Sequence, residues 1–319
     1  MTPPLLIAFD ARSLRGERTG VGNYLSNLLE QLLSIDRAVE PLLVSDGPLP
    51  PFPWLDRERV RVERTSLRID DNLLWTNLAL RRKLSSGGAA LFHSPGYTAP
   101  LGATIPTIVT LHDVSYASHP EWYPHAGGWL RRLWYRASAR GADRVLTDSE
   151  FSRREIVRVY GCKPERVRRI YLGVDRRRFR PLDDRAALEA LRGRYRLPSD
   201  FVLFVGDVHP RRNLKQIAEA VARLRGSPQA PGELELVVVG RVLDRAALPE
   251  GAPGVRILGY VPDGDLPLFY NAARAFVFPS SYEGFGLGVL EAMASGCPVV
   301  VGRGTACEEV AAEACIAVE

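Results

Sequence analysis

Short apolar runs and segments of helical period take turns along this chain from one end to the other. The runs at 5–9, 41–44, 60–62, 90–92, 107–111 and 145–147 are brief and mostly apolar, as in strands covered on both faces of a sheet. Between them, 22–33, 71–84, 127–140 and 151–160 repeat apolar residues every three or four positions and read as helices. Ser149 or Ser152 caps the last of these, Glu155 closes a capping box, and Gly161 stops it. Strands alternating with helices predict parallel βαβ units.

The alternation breaks once. After Tyr171-Leu172-Gly173-Val174-Asp175 the stretch 176–181 is charged, carries a proline and has no period. A short helical segment at 184–195 follows, and strand-like runs resume at 201–205, 234–239, 255–258, 275–278, 298–301 and 315–318. The expected fold is α/β, with two doubly wound Rossmann-like lobes at 1–175 and 200–319 and a linker at 176–199. Ligands of such sheets bind beyond the carboxyl ends of the strands, so a cleft between the lobes is the expected site. A lobe of this kind normally covers its last strand with another helix. The chain stops at Glu319 as its final strand closes, so the second lobe is expected to be incomplete at its C-terminal end.

Composition narrows the class. A length of 319 residues, 46% of them apolar and 25% charged, suits a globular protein of two domains. No apolar run is long enough to span a bilayer, and the start lacks the basic flank of a signal peptide, so cytoplasmic residence is expected. The net charge of +5 is almost wholly arginine, because Lys83, Lys163 and Lys215 are the only lysines. These arginines are scattered in pairs and triplets without interleaved stacking aromatics. That argues against nucleic acid and leaves a phosphorylated small molecule or an anionic membrane surface. Cys162, Cys297, Cys307 and Cys315 show no C-x-x-C spacing and read as small buried hydrophobes rather than metal ligands.

Four strings carry candidate chemistry. Thr19-Gly20-Val21-Gly22-Asn23-Tyr24 follows the first strand and opens a helix, where glycines let a ligand approach and the helix start favours negative charge. It lacks the third glycine of a dinucleotide fingerprint and reads equally well as a plain turn. Leu111-His112-Asp113-Val114 puts a His-Asp pair at a strand end, either binding sugar hydroxyls or simply satisfied by the neighbouring aspartate; His93 is similar. Val205 to Leu214 sets Arg211 and Arg212 at a helix start, which suits a diphosphate, against the plainer reading of a solvated basic turn. The strongest string runs from Pro279 to Met293, with Glu283 in a loop, Gly284 and Gly286 exposing amides, and Glu291 inside the following helix. A carboxylate accepting two hydrogen bonds is a natural reader of a ribose cis-diol.

The string E-G-F-G-L-x-x-L-E-A-M-A-x-G-x-P-V-V from Glu283 to Val300 resembles the retaining GT-B glycosyltransferases of family 4. Supporting matches run in order through Thr19–Tyr24, His112-Asp113, Thr147-Asp148-Ser149-Glu150-Phe151-Ser152, Ile170–Asp175, Pro210-Arg211-Arg212-Asn213-Leu214 and Gly259-Tyr260-Val261-Pro262. The resemblance implies an acceptor-side first lobe and a second lobe that binds a nucleotide-sugar. Glu291 would hold the donor ribose, and Glu283 would lie near the donor sugar. Gly284, Phe285 and Gly286 would offer backbone contacts to sugar or diphosphate. Arg212, where relatives usually carry lysine, and Arg211 would face the diphosphate. Gly20 and Gly22 would approach the phosphates from the other lobe, His112 would sit by the transferred sugar, and Tyr260 and Val261 would border the base. Asp207 stands where many relatives have arginine, and Gly288 where proline is common.

The resemblance further implies retaining, metal-independent transfer of a hexosyl unit, mannosyl or glucosyl, from a GDP- or UDP-linked donor to a glycan or lipid-linked acceptor in cell-surface polysaccharide assembly. No cofactor beyond that donor is expected. The adjacent pairs Asp70-Asp71 and Asp183-Asp184 are poorly placed to hold a metal on a phosphate. Competing readings are a non-catalytic nucleotide-sugar binder, a sugar-nucleotide epimerase of similar shape and, weakest, a dehydrogenase. The segment 122–140 sets Trp129, Leu130, Leu133, Trp134 and Ala137 against Arg131, Arg132, Arg136 and Arg140. It reads either as a surface helix packed on its own sheet or as peripheral contact with the inner face of a membrane.

Overall fold

A computed structural model describes residues 4–319 except 17–18, 66–71, 124–127, 226, 228–233 and 249–250. Asp70, Asp71 and the expected helix starts at 71 and 127 lie outside the described residues. The chain divides into two compact units. The first comprises Met1–Ser118, Tyr123–Asp148 and Ser152–Ile170; the second comprises His119–Trp122, Ser149–Phe151 and Tyr171–Glu319.

The first unit is one parallel sheet: β1 (Leu5–Asp10), β2 (Val39–Ser45), β3 (Arg61–Arg64), β4 (Leu91–Ser94), β5 (Thr107–Thr110), β6 (Arg144–Thr147) and β7 (Val167–Arg169). Its strand order is β3-β2-β1-β4-β5-β6-β7, so the winding reverses between β1 and β4. Adjacent residues of one strand feed different cores: Ile7 and Phe9 pack with Leu25, Leu29 and Leu33, whereas Ala8 packs with Trp75 and Phe92. Burial on both faces explains why these strands read as apolar runs. β7 is an unexpected strand. Only Val167 of it is buried while Arg168 and Arg169 are exposed, so its sequence carries no apolar run.

Helices α1 (Gly20–Ile35), α2 (Asn72–Leu74), α3 (Arg81–Ser86), α4 (Ser115–Ser118), α5 (Trp129–Gly141) and α6 (Glu150–Tyr160) join these strands. α1 starts where Thr19 Oγ1 accepts the Gly22 amide at 3.1 Å. A π-helical turn, Trp75–Leu80, connects α2 to α3. α6 starts at Glu150, so Ser152 lies inside the helix and not at its cap. Glu155 instead pairs with Arg158, while the amides of Glu150 and Phe151 donate to the Glu309 carboxylate at 2.6 and 2.8 Å. A charged acceptor beats the local one because it meets two helix-start amides at once.

The second unit repeats the plan with β8 (Phe201–Val205), β9 (Glu235–Val239), β10 (Val255–Gly259), β11 (Ala275–Phe278), β12 (Val299–Gly302) and β13 (Ile316–Val318). The order β10-β9-β8-β11-β12-β13 puts its reversal between β8 and β11. Helices α7 (Arg185–Tyr195), α8 (Leu214–Arg225), α9 (Leu266–Ala272), α10 (Leu287–Ala294) and α11 (Ala306–Ala311) accompany it. α7 falls within 176–199; Asp184 caps it through the Ala187 amide at 2.9 Å, and Leu191 joins the second core.

Two strand-ending glycines shape the rim of this sheet. Gly206 and Gly240 adopt φ of 145° and 144°, and a Cβ on Gly240 would fall 2.1 Å from the Gly206 carbonyl oxygen. Gly240→Ala is therefore expected to destabilise the protein by about 2 kcal/mol or more, read as a lowered thermal or denaturant midpoint. An unchanged midpoint would contradict this account of the rim.

Candidate functional site

In the second unit, the loops leaving β8 and β11 flank the reversal point, the usual ligand position on a doubly wound sheet. They are laced together. Asn213, in the left-handed region at φ 54°, donates from Nδ2 to the Pro279 carbonyl at 2.8 Å and to Ser281 Oγ at 3.0 Å. The Ser281 amide returns a bond to the Arg211 carbonyl at 2.8 Å.

This lacing brings Arg211, Arg212 and Glu283 together. Arg212 Nε donates to Glu283 Oε1 at 2.9 Å, and Arg211 Nη2 lies 3.5 Å from Oε2. Ser280 Oγ donates a second bond to Oε1 at 3.1 Å. Arg212 also donates from Nη1 to the Asp207 carbonyl at 2.7 Å, with its guanidinium 5.4 Å from the centre of the Phe278 ring. Burial opposes ionisation of Glu283, but the two guanidinium groups and the bonds from Arg212 and Ser280 outweigh it and hold its pKa below the usual value. Glu283 is thus a carboxylate that orients two cations, not a proton donor. Gly206 leaves the room, since a Cβ there would meet Arg212 Nη1 at 2.7 Å.

The remaining residues foreseen for the donor lie around the same unit. Gly286 precedes α10 at φ 102°, and a Cβ on it would fall 2.9 Å from Cys307 Sγ. Phe285 and Val261 are buried, while Tyr260 is 72% exposed. The Gly284 carbonyl accepts Ser149 Oγ at 2.6 Å. Glu291 stands within α10 and accepts Tyr270 Oη at 3.0 Å. Burial drives its pKa up to about 7, against the opposing pull of the Tyr270 bond and the Arg178 charge; Asp263 adds to the rise. Asp207, where relatives carry arginine, is engaged by the Arg241 fork at 3.2 and 2.9 Å. The chain does contain an Asp-x-Asp triplet, Asp263-Gly264-Asp265, so lack of that motif is no argument for metal independence. Asp265 is buried and accepts Arg194 at 3.0 Å and Tyr195 Oη at 2.6 Å, a structural use.

In the first unit, the carboxyl ends of β5 and β6 and the start of α1 hold a second polar network. His112 is bonded on both ring nitrogens, Nδ1 to Asp148 Oδ2 at 2.7 Å and Nε2 to the Pro95 carbonyl at 3.1 Å. Two acceptors suit a doubly protonated ring. Although burial disfavours that charge, Asp148, the Pro95 carbonyl and Asp113 raise the pKa. The sequence-adjacent Asp113 was the expected partner; it instead accepts the amide and hydroxyl of Ser115 at 3.1 and 2.9 Å. Asp148 was visible only as part of a matched string, because its role depends on β6 lying beside β5. Tyr24 Oη and His93 Nε2 both meet Thr110 Oγ1, at 3.1 and 2.8 Å. Burial, with the nearby His112 charge, takes His93 down to about 4. Gly22 has a packing reason, since a Cβ there would fall 2.3 Å from the Ser13 carbonyl oxygen, whereas a Cβ on Gly20 would meet nothing within 4 Å.

Comparison with known proteins decides the family. A profile described as Glycosyltransferase Family 4 matches residues 18–178, and one described as Glycosyl transferases group 1 matches residues 199–319. The chain belongs to glycosyltransferase family 4. It is 29% identical to the Escherichia coli O-antigen chain mannosyltransferase B, over 97% of this chain and 85% of that protein. It is 36% identical to D-inositol 3-phosphate glycosyltransferase 2 of Catenulispora acidiphila, over 51% of this chain and 40% of that one. Among solved structures, sucrose-phosphate synthase from Thermosynechococcus elongatus superposes with a TM-score of 0.71 at 20% identity, covering 98% of this chain and 86% of that one. The Anabaena HepE protein in complex with UDP-glucose gives 0.70 at 18% identity, covering 98% and 85%. The two-sheet architecture is the GT-B fold, and the family 4 chain is a glycosyltransferase.

Glu291 carries a stability consequence. A carboxyl whose folded pKa exceeds its unfolded value binds its proton more tightly in the folded state. Its contribution to stability therefore falls as pH rises from 4.5 to about 7 and is constant beyond. At about 1.4 kcal/mol per unit this amounts to roughly 3 kcal/mol. Glu291→Gln is expected to raise the unfolding midpoint at pH above 7 relative to the parent and to lose that advantage near the acid end of the window. Equal midpoints throughout would show that Glu291 is not held in this way.

Proposed function

We propose that this family 4 glycosyltransferase moves a hexosyl unit, mannosyl or glucosyl, from a GDP- or UDP-linked donor to a glycan or lipid-linked acceptor in cell-surface polysaccharide assembly, with retention and without a metal ion. The Arg211–Arg212–Glu283 cluster at the reversal point of the second sheet carries this reading. Similarity to a mannosyltransferase of O-antigen chains supports the sugar and the product class.

The Arg211 and Arg212 guanidinium groups serve the donor diphosphate. As the bond between the anomeric carbon and the diphosphate oxygen breaks, negative charge grows on that oxygen, and fixed cations stabilise it without reorganising. The acceptor hydroxyl oxygen bonds to the same face of the anomeric carbon, and its proton passes to the departing phosphate. Glu283, held ionised, keeps both arginines in place through the step. Glu291 accepts the ribose hydroxyls, the backbone of Gly284, Phe285 and Gly286 serves the sugar and diphosphate, and Tyr260 with the Val261 backbone borders the base. Within the first unit, Gly20, where no described atom would meet a side chain, and the His112–Asp148 pair are the groups offered to a sugar or phosphate.

Arg212→Ala is expected to lower kcat/KM by about 10²–10³, as for removal of one preorganised donor to a developing oxyanion. Transfer and donor hydrolysis measured together check it, and an unchanged turnover would remove Arg212 from the mechanism.

The acceptor side adds an anionic membrane surface. No helix among the described residues is long and apolar enough to cross a bilayer. On α5, Trp134 is buried, but Trp129, Leu130 and Leu133 are 65, 62 and 54% exposed beside Arg131, Arg136 and Arg140. Leu73, Leu74 and Leu78 of the 72–86 helical run are exposed too, and neither helical segment contains an acidic residue. Apolar side chains rimmed by cations suit the headgroup boundary of an anionic leaflet. Vesicles containing phosphatidylglycerol are expected to co-sediment the protein at low salt, and neutral vesicles to do so weakly. Replacing Trp129, Leu130 and Leu133 by serine should abolish this; retention after that replacement would end the reading.

A further inference from the structure

Gly288, in α10, packs beside a buried tyrosine. A Cβ on Gly288 would lie 3.4 Å from Tyr270 Oη and 3.4 Å from the Phe276 ring. Tyr270, from α9, is fully buried against Phe179 and Phe276, with ring centroids 6.0 and 5.5 Å away. Its hydroxyl donates to Glu291 Oε2 at 3.0 Å. A buried phenol needs a partner for its hydroxyl, and here the partner is the one carboxylate of α10.

We infer that Tyr270 is a positioning residue for donor binding: its hydroxyl pins Glu291 Oε2 and leaves Oε1, with the second lone pair of Oε2, to accept the two ribose hydroxyls. The inference rests on Glu291 being the ribose acceptor. Chemically it works only with an ionised carboxylate, because a protonated one offers fewer acceptors to three O–H donors. Donor binding and deprotonation of Glu291 are then linked. The charged and titratable groups facing Glu291 are few. Tyr270 faces it from α9. Arg178, from the segment before α7, donates to the Asp263 carbonyl and lies 4.8 Å from the Phe179 ring centre. Asp263, in the turn before α9, is the opposing charge. The Cys297 thiol, near Tyr270, is pushed by burial up to about 11 and stays neutral. Without a donor, burial leaves Glu291 poised near 7. The phenol bond lowers that value, so removing the hydroxyl must raise it further.

Calorimetric affinities for UDP-glucose and GDP-mannose across about pH 5.5–9 at constant ionic strength test this, because the diphosphate of a nucleotide-sugar has no group titrating near 7. Wild-type affinity is expected to weaken as pH falls through about 7, approaching about tenfold per unit. Tyr270→Phe is expected to keep its affinity at the alkaline end within about threefold and to move the midpoint upward by about one unit. Glu291→Gln should bind weakly and without pH dependence. A Tyr270→Phe midpoint equal to wild type, in a protein whose unfolding shows it intact, would reduce Tyr270 to core packing and overturn the inference while Glu291 keeps its role. A Glu291→Gln profile equal to wild type would instead remove Glu291 from donor binding altogether. Should the phenylalanine chain not fold, Gly288→Val crowds the same hydroxyl from the other side and carries the same expected shift, with the same overturning result.

Discussion

A carboxylate buried between two guanidinium groups cannot be displaced without moving the loops that carry all three. Glu283 holds Arg212 and Arg211 at 2.9 and 3.5 Å, and the backbone and Asn213 bonds between the loops after β8 and β11 set the same spacing. The glycines that end β8 and β9 are consequences of this constraint. Gly206 leaves space for the Arg212 side chain, and Gly240 leaves space for the Gly206 carbonyl. A rim so determined supplies fixed cations at the point where a doubly wound sheet opens. Rigid cations are what stabilise charge appearing during a reaction, since they need no rearrangement when it appears.

Much of the fold was legible because both sheets are parallel and covered on both sides, which turns each strand into an apolar run. β7 escaped because an edge strand with one buried valine and two exposed arginines has no such run. The site strings at 210–214 and 279–291 were legible because their unusual residues are crowded into short stretches. What each residue does there was less so. Glu283 spends its charge on Arg211 and Arg212, Asp148 rather than Asp113 serves His112, and Tyr270 supports Glu291. These pairings join residues 21 to 72 positions apart, and no spacing rule reaches that far.

The departures from relatives are compensated one by one. Asp207 stands in an arginine position, yet its carboxylate takes up Arg241 and its carbonyl takes up Arg212, so it anchors two cations without supplying one. Arginine in a lysine position gains a planar fork that bonds Glu283 and the Asp207 carbonyl at once, which a single ammonium on a flexible stem does less well.

Chemically identical groups are set to different protonation states by their surroundings. Glu283 is buried but met by two cations, which hold its pKa below the usual value; Glu291 is half-buried beside a phenol, with the Arg178 charge near, and it is poised near 7. His93, buried near His112, is lowered to about 4, while His112 between a carboxylate and a carbonyl is raised. The Glu283 charge is compensated inside the protein and persists whether or not a ligand is present. Glu291 lacks such compensation, so the missing hydrogen bonds have to come from outside. A residue left in that condition lowers the stability of the empty protein and returns the difference when hydroxyl donors arrive, which is how a binding site differs physically from a structural ion pair.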